Sequence, residues 1–366
     1  MSGISGAPAP GEYGLLSTLV ADSASIRQRL DALAQQASTG LVASTYAGLG
    51  AGASVSLDLN PEIADLQTWQ DNIAAVTGRM GVTQTAMTQL QQIASSFYAK
   101  IDALNGIDAP TVDTIAASAR DALKQVAGLL DTRDGGVFVF GGADSANPPV
   151  PDPDAILSSG FYTQIASAVN NLSTAGASAT ASATLAIASS NAAGTSPFSA
   201  YMSQPASTLQ AQAPVVQTGP GQTSQIGLLA SANSFAASPS GSTTGSYARD
   251  LFRSLATLGS LSSAQANLPG FVALIQDTRA SLNGAIGAMA GEAGAFGDRQ
   301  SALTMTQASL GHTQLALTTQ VGASQDADMA QTLSAITQTQ AQLQASYQVI
   351  ATLSSLSLAK ILPAGA

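Results

Sequence analysis

A single histidine, His312, and no cysteine are all this 366-residue sequence offers of the side chains that most often act as general bases or soft metal ligands. A base at His312 would need a nucleophile at helical spacing, and its nearest acids along the chain are Asp298 and Asp326, so a packed or solvated helix histidine is the preferred reading. One imidazole cannot build a multi-histidine metal site. The lack of cysteine removes disulfides, thiolate zinc sites and cysteine nucleophiles. Two acidic pairs remain. Asp152 and Asp154 lie in Pro148-Pro149-Val150-Pro151-Asp152-Pro153-Asp154, an extended Pro-rich connection. Asp326 and Asp328 begin a helical pattern, where carboxylates favour the positive dipole end. Gly48-Leu49-Gly50-Ala51-Gly52 follows no strand and precedes no lysine, so it reads as a linker rather than a phosphate loop. Asn171-Leu172-Ser173 is a glycosylation sequon, and no secretory signal accompanies it. Arg120 and Lys124 read as an exposed helix edge, and Arg249, Arg253, Arg279 and Arg299 are too dispersed for a nucleic-acid face. No catalytic, cofactor-binding or metal residue is therefore expected, and no cofactor.

Charge points the same way. Twelve basic residues face 22 acidic ones, a net charge of −10, which argues against phosphate-backbone binding. Only 9% of residues are charged while 45% are apolar, so charge rather than hydrophobicity is depleted. Wholesale disorder is not expected. Cysteine avoidance fits a cytosolic protein and equally one exported unfolded. Met1 to Gly11 carries no positive n-region, so a cleaved secretory signal is not expected, and no long apolar run predicts a membrane span.

The elements are set by heptads. Leu268, Ile275, Leu282, Met289, Phe296, Leu303, Leu310 and Leu317 recur at every seventh position after Leu268-Pro269-Gly270. This predicts one helix with a narrow apolar seam, about 75 Å long. A second seam reads Leu59, Leu66, Ile73, Met80, Met87, Ala94 and Ile101, with companions that include Trp69, Val76, Leu90, Phe97 and Leu104. Asn60 as N-cap and Pro61 at the first position predict its start, and Asn105-Gly106 its end. Two such seams, far apart in sequence, are natural partners. Further helices are expected at about 15–37, 110–130 and 326–362. Between Asp154 and Arg249 no residue is charged. That stretch predicts a small, separately packed domain, with one or two Ala-rich helices over 161–190. A hairpin is expected between Val215-Val216 and Ile226-Gly227-Leu228-Leu229, turning at Gly219-Pro220-Gly221.

The outer faces of the terminal helices carry Gln, Thr, Ser and Ala instead of Glu and Lys, as in Thr332, Thr337, Gln338, Thr339, Gln340, Gln342 and Gln344. Such a face packs against copies of itself without ion-desolvation cost. From pattern alone, polymerisation of subunits and a low-charge soluble bundle are equal readings.

Specific segments then carry a resemblance. Asp326-Ala327-Asp328-Met329-Ala330, followed by Gln338 to Ser346, is similar to the C-terminal helix of the bacterial flagellin family, and Arg29-Leu30 through Gln36-Ala37-Ser38-Thr39-Gly40 to its N-terminal stretch. Asp71-Asn72-Ile73 and the heptads after it resemble the family's first long helix. Asp131 to Gly142, with Val137-Phe138-Val139-Phe140-Gly141-Gly142 and a Pro-rich exit, resembles the hairpin of its hook–filament junction members, as does the ending Ser355 to Leu362. The resemblance spans about 15–142 and 246–362. Leu41 to Gly48 departs from the family pattern, as does the opening of the chain.

The resemblance implies a mainly α fold. Its N- and C-terminal segments form a long antiparallel, coiled-coil-like helical rod with a β-hairpin, and a small mixed α/β middle domain is inserted. The expected division is 1–45 with 325–366 as a terminal inner-tube domain, 46–142 with 246–324 as the rod, and 143–245 as an outward-facing insert. The implied function is a non-enzymatic, extracellular structural subunit of the flagellum, exported through the flagellar type III channel. Within the family the junction role is favoured, with filament flagellin as the alternative and a secreted coiled-coil interaction module as an alternative of another class. Expected partners are copies of the chain in a ring or filament, hook-associated protein 1, flagellin and an export chaperone, with no nucleic acid and no membrane insertion. Expected assembly contacts are Leu19, Ile26, Leu30 and Leu33 with Leu333, Ile336, Leu343, Tyr347 and Ile350.

Overall fold

The computed structural model describes residues 10–102, 109–238 and 241–361. They are mostly helical. In chain order the elements are α1 (Pro10–Thr39), α2 (Gly52–Asp102), α3 (Ala109–Leu130), β1 (Arg133–Asp134), β2 (Val137–Phe138), α4 (Gly160–Asn170), α5 (Leu172–Ala175), α6 (Ala177–Ser189), α7 (Ala206–Ala211), β3 (Val215–Gly219), β4 (Gln222–Gln225), α8 (Tyr247–Gly259), α9 (Phe271–Gln325) and α10 (Met329–Ile361). Asn105-Gly106 and Leu104, expected at the end of the second seam, lie outside the described residues. The chain forms two compact units, one holding residues up to 65 and from 312 on, the other 66–311.

In the larger unit α2 and α9 run antiparallel with a constant register. Gln300 donates to the Thr77 carbonyl at 3.2 Å, Gln307 to the Gln70 carbonyl at 3.3 Å, and the Arg279 guanidinium lies 4.8 Å from the Tyr98 ring centre. The predicted seams are what this pairing encloses. Ile73, Met80, Met87, Ala94 and Ile101 are buried, as are Ile275, Leu282, Met289, Phe296 and Leu303. Uncharged Gln side chains at the flanks spend their donors on the partner helix backbone, so the pair needs no ion bridges at its edges.

α2 begins at Gly52, ahead of the start expected at Asn60-Pro61, and Pro61 lies inside the helix. Proline removes the N–H that would reach the Leu57 carbonyl. Leu57 is exposed, so the missing bond falls on the open side of the helix. The turns before it are anchored instead by tertiary contacts. Ser56 is fully buried, and Gln325 donates to its hydroxyl at 2.9 Å. Tertiary packing here overrides a good local start signal.

The hairpin after α3 forms as its glycines require. Arg133 pairs with Phe138 and Asp134 with Val137, and the turn residues Gly135 and Gly136 have φ of 56° and 86°, the left-handed pair that a tight twisted hairpin needs. The chain then returns along α3, where Asp131 Oδ1 accepts the Val150 N–H at 2.9 Å. The second hairpin is β3 against β4, with its return strand at Gln222–Gln225 rather than Ile226–Leu229. Leu228 and Leu229 leave the sheet and are buried, and Leu229 makes an isolated bridge to Gly141. Burying two leucines outweighs extending a two-stranded ladder that has one face in water.

α8 is enclosed along its whole length. Phe252 meets Phe161 and Phe198 edge-on at 6.0 and 5.5 Å. Residues expected as a separate insert, among them Ile156, Phe161, Ile165, Val169, Leu209 and Leu228, belong to the same buried cluster as α2, α3, α8 and α9.

Candidate assembly interface

In the smaller unit α1 and α10 form an antiparallel pair. Its closed end is a short bridge. Val42 donates to the Gln325 carbonyl at 2.7 Å, Ala327 to the Gly40 carbonyl at 2.8 Å, and Leu41 pairs with Asp326. Asp328 caps α10 by accepting the N–H groups of Ala330 at 2.9 Å and Gln331 at 3.1 Å, as the acidic pair predicted. Asp152 likewise serves a local turn, accepting the Ala155 N–H at 3.1 Å. His312 is exposed on α9. Among the described residues no group of His, Asp and Glu could hold a metal ion, and no helix is long and apolar enough to cross a membrane.

The seam between α1 and α10 alternates apolar and hydroxyl side chains. On α1 it reads Leu19, Ser23, Ile26, Leu30, Leu33, and on α10 Thr332, Ile336, Thr339, Leu343, Ser346, Ile350, Leu353. The hydroxyl positions are the enclosed ones: Ser23, Thr332 and Thr339 are buried, and Ser23 and Ser346 share a hydrogen bond of 2.6 Å. Leu19, Ile26, Leu30, Leu33, Ile336, Leu343 and Ile350 are each only half-buried. Leu333 and Tyr347 sit off this seam and are exposed, with Arg27 reaching over the Tyr347 ring at 5.2 Å and donating to its hydroxyl. Thr332 and Thr339, expected on the outer face of the terminal helix, are instead inside the seam, and a search for large apolar residues overlooks Ser23 and Ser346. The signal for them was present, since they fill the missing heptad positions at spacings of three and four.

This unit lacks a core of its own. Among its described residues Val321 is the only apolar side chain that is buried, while Val20, Leu333 and Val349 stay about half exposed or more, at 56%, 53% and 46%. The larger unit, with its continuous buried cluster, is the contrast. Exposed apolar residues on a paired helix face leave apolar surface that another molecule could cover. That face is also cheap to bury. No residue between Asp328 and Lys360 is charged. The threonine hydroxyls are satisfied within the helix, Thr337 donating to the Leu333 carbonyl and Thr352 to the Gln348 carbonyl, both at 3.0 Å.

The buried charges lie elsewhere, around α8. Arg249 donates to the carbonyls of Ser231 (2.9 Å), Ala188 (3.0 Å) and Ser190 (3.1 Å) and to Asn191 Oδ1 (2.6 Å). Arg253 donates to the carbonyls of Ser242 (2.7 Å) and Ala181 (3.1 Å), to the Thr184 hydroxyl (3.1 Å), and to Asp277. The two arginines therefore gather the charge-free stretch by its backbone. Burial holds Arg249 below its usual range and pushes the carboxyls of Asp131 and Asp250 up to about 6 each. Read along the chain, these residues looked dispersed, because their partners are backbone carbonyls distant in sequence.

Two family models match the chain. The bacterial flagellin N-terminal helical region matches residues 16–144, and the bacterial flagellin C-terminal helical region matches residues 280–362. Together they cover more than half of the sequence, and they take in the antiparallel terminal pair, the hairpin and most of α2 and α9. The chain belongs to the bacterial flagellin family. Flagellins are structural and non-enzymatic, and this flagellin-family chain is accordingly an extracellular component of the bacterial flagellum, a self-assembling subunit in motility. Residues 145–279, including α8 and its arginines, lie outside both flagellin matches. A search of curated proteins finds no match.

Proposed function

We propose that this flagellin-family subunit is the hook–filament junction protein, linking hook-associated protein 1 to the flagellin filament. The observation that supports this reading is the Asp131–Gly142 hairpin with its Pro-rich exit, which in sequence resembles the junction members. The proposed arrangement puts residues 1–45 with 325–366 in the inner tube, 46–142 with 246–324 in the rod, and 143–245 facing outward. Assembly proceeds through α1 and α10. Leu19, Ile26, Leu30, Leu33, Ile336, Leu343 and Ile350 complete their burial, and Leu333 and Tyr347 supply contacts to the next copy. The chain performs no catalysis in this role, and an export chaperone holds it before secretion.

A second reading is a flagellin that builds the filament itself. It is favoured by the two matched models, both described as flagellin regions. Gene deletion with microscopy separates the two. The junction role requires hooks without attached filaments and flagellin shed into the medium, with only about a ring of copies per wild-type filament. Loss of the filament's bulk protein, present in thousands of copies, would overturn the junction role in favour of filament flagellin.

A further inference from the structure

Arg249 is a buried cation at the positive end of a helix. It stands in the first turn of α8, where the helix dipole disfavours a cation, and it is 7% exposed. Buried charges are ordinarily paired. Among the described residues the ion pairs are Arg79 with Asp134 and Arg253 with Asp277, and Arg249 has none. Its neighbour Asp250 turns Oδ1 to the Thr244 N–H, at 2.6 Å. Four of the five guanidinium N–H groups are spent. Nε donates to the Ser231 carbonyl, Nη1 to the carbonyls of Ala188 and Ser190, and Nη2 to Asn191 Oδ1. The second Nη2 hydrogen has no acceptor among the described residues.

A cavity of about 260 Å³ opens beside this side chain, and Arg249 is the one charged residue that lines it. The rest of its polar wall is amide and hydroxyl. Gln210 donates to the Asn233 carbonyl at 2.8 Å and keeps Oε1 for another partner. Asn191 gives Oδ1 to Arg249 and keeps its Nδ2 donors. The Gln204 amide also faces the cavity, and makes no hydrogen bond among the described residues. The wall built by segment 231–238 is held from outside. Fully buried Glu292 accepts the N–H groups of Phe235 and Ala236 on Oε1, each at 2.8 Å, and Phe235 stacks on Phe296 at 6.3 Å. Asn233 Oδ1 accepts the Tyr247 N–H at 2.9 Å, which ties the segment to α8. The cavity is therefore formed before any ligand arrives.

We infer that this cavity binds a small hydroxylated monocarboxylate, of the size and chemistry of a single hexuronate ring. The carboxylate sits on the remaining Arg249 donor at the positive end of α8, and the ring hydroxyls pair with the amides of Asn191, Gln204 and Gln210. One cation calls for one negative charge. A phosphate dianion would bring two, close to Asp250 on the same helix. Amides that can both donate and accept suit hydroxyl groups, which do the same. The volume lies just below the range of about 300–1,000 Å³ that holds drug-sized ligands, which suits one ring and not a chain of them. The site falls within residues 145–279, outside both flagellin matches, so it rests on neither the junction nor the filament reading.

The test is a titration of the 15N-labelled full-length chain with glucuronate, with glucose and inorganic phosphate as comparators. About 0.15 M salt screens the net negative field of the chain. The Arg249 Nε–H and the side-chain amides of Asn191 and Gln204 are followed by NMR. Glucuronate should shift them saturably, with a dissociation constant of about 1 mM or tighter. Glucose offers no carboxylate and should bind at least about tenfold more weakly, as should phosphate. Arg249→Met would strand the carbonyls that Arg249 gathers, so the cavity is filled from its wall instead. Ala206 lines it and is exposed. Ala206→Phe should weaken glucuronate at least about tenfold and leave the thermal melt of the monomer as in wild type. If Ala206→Phe melts lower, Gln204→Leu takes its place, and the same loss is required. No saturable shift, glucose or phosphate binding as tightly as glucuronate, or undiminished binding by the filled variant would overturn the site.

Discussion

Leu333→Ala separates assembly from folding. Leu333 is 53% exposed on α10, off the α1–α10 seam, so the folded monomer gains little from it. Fully enclosing a leucine is worth about 2 kcal/mol, and about half of that remains to be gained when another copy covers the exposed half. Truncation should therefore remove about 1 kcal/mol per copy–copy contact, which raises the critical concentration for polymerisation roughly fivefold. The monomer should change by no more than about 0.5 kcal/mol, because alanine is also the better helix former. The assay is sedimentation of polymer against total protein, with thermal melting of the monomer by circular dichroism beside it. Leu123→Ala is the control, since Leu123 is fully buried between α3 and its neighbours and its loss should cost the monomer roughly 2–5 kcal/mol. An unchanged critical concentration for Leu333→Ala, or a monomer as destabilised as Leu123→Ala, would refute the assignment of the α10 outer face to copy–copy contact.

Four other outcomes follow from the structure. With Asp131 and Asp250 pushed from 3.8 up to about 6, the folded chain holds protons that the unfolded chain has released, so this part of the stability is complete below about pH 4 and is lost as pH rises through 6. For the enclosed Asp250 the gap is worth about 3 kcal/mol, and less for half-exposed Asp131; Asp250→Asn should gain on wild type between pH 4.5 and 8, and urea melts showing the opposite trend would contradict it. Arg253→Met strands Asp277 and three carbonyl or hydroxyl acceptors and should cost roughly 3 kcal/mol in the same melts, with Arg253→Lys recovering only part. A Cβ at Gly160 would lie 1.7 Å from the Gly194 carbonyl oxygen, so Gly160→Ala should destabilise by about 3 kcal/mol, whereas Gly128→Ala, in open space within α3, should stabilise by about 1 kcal/mol. Amide exchange in the monomer should be fast along α1 and α10 and slow in α8 and in α9 from 275 to 303; equal protection would remove the contrast between the two units.

Much of the fold was legible in the residues. The seams from Ile73 to Ile101 and from Ile275 to Leu303 were visible because a heptad repeat records its partner helix at every turn. The hairpin within Asp131–Gly142 was expected only through that segment's resemblance to the family, and the structure places its turn at Gly135-Gly136, where φ is positive twice in succession. The α1–α10 surface was half legible: Leu19, Ile26 and Leu343 stand on the seam, but Leu333 and Tyr347 do not, Ser23 was hidden by its polarity, and Thr332 and Thr339 were expected on the outer face. What the sequence alone determined is the set of periodic elements and the near absence of charge on the terminal helices, since both are local properties written one residue at a time. Only the tertiary structure decided where α2 starts, which leucines leave the β3–β4 hairpin, and that Arg249, Arg253 and Glu292 are buried at all. Those outcomes depend on backbone groups brought close by folding, and a backbone carbonyl or N–H is the same at every position of a sequence until the chain has been closed around it.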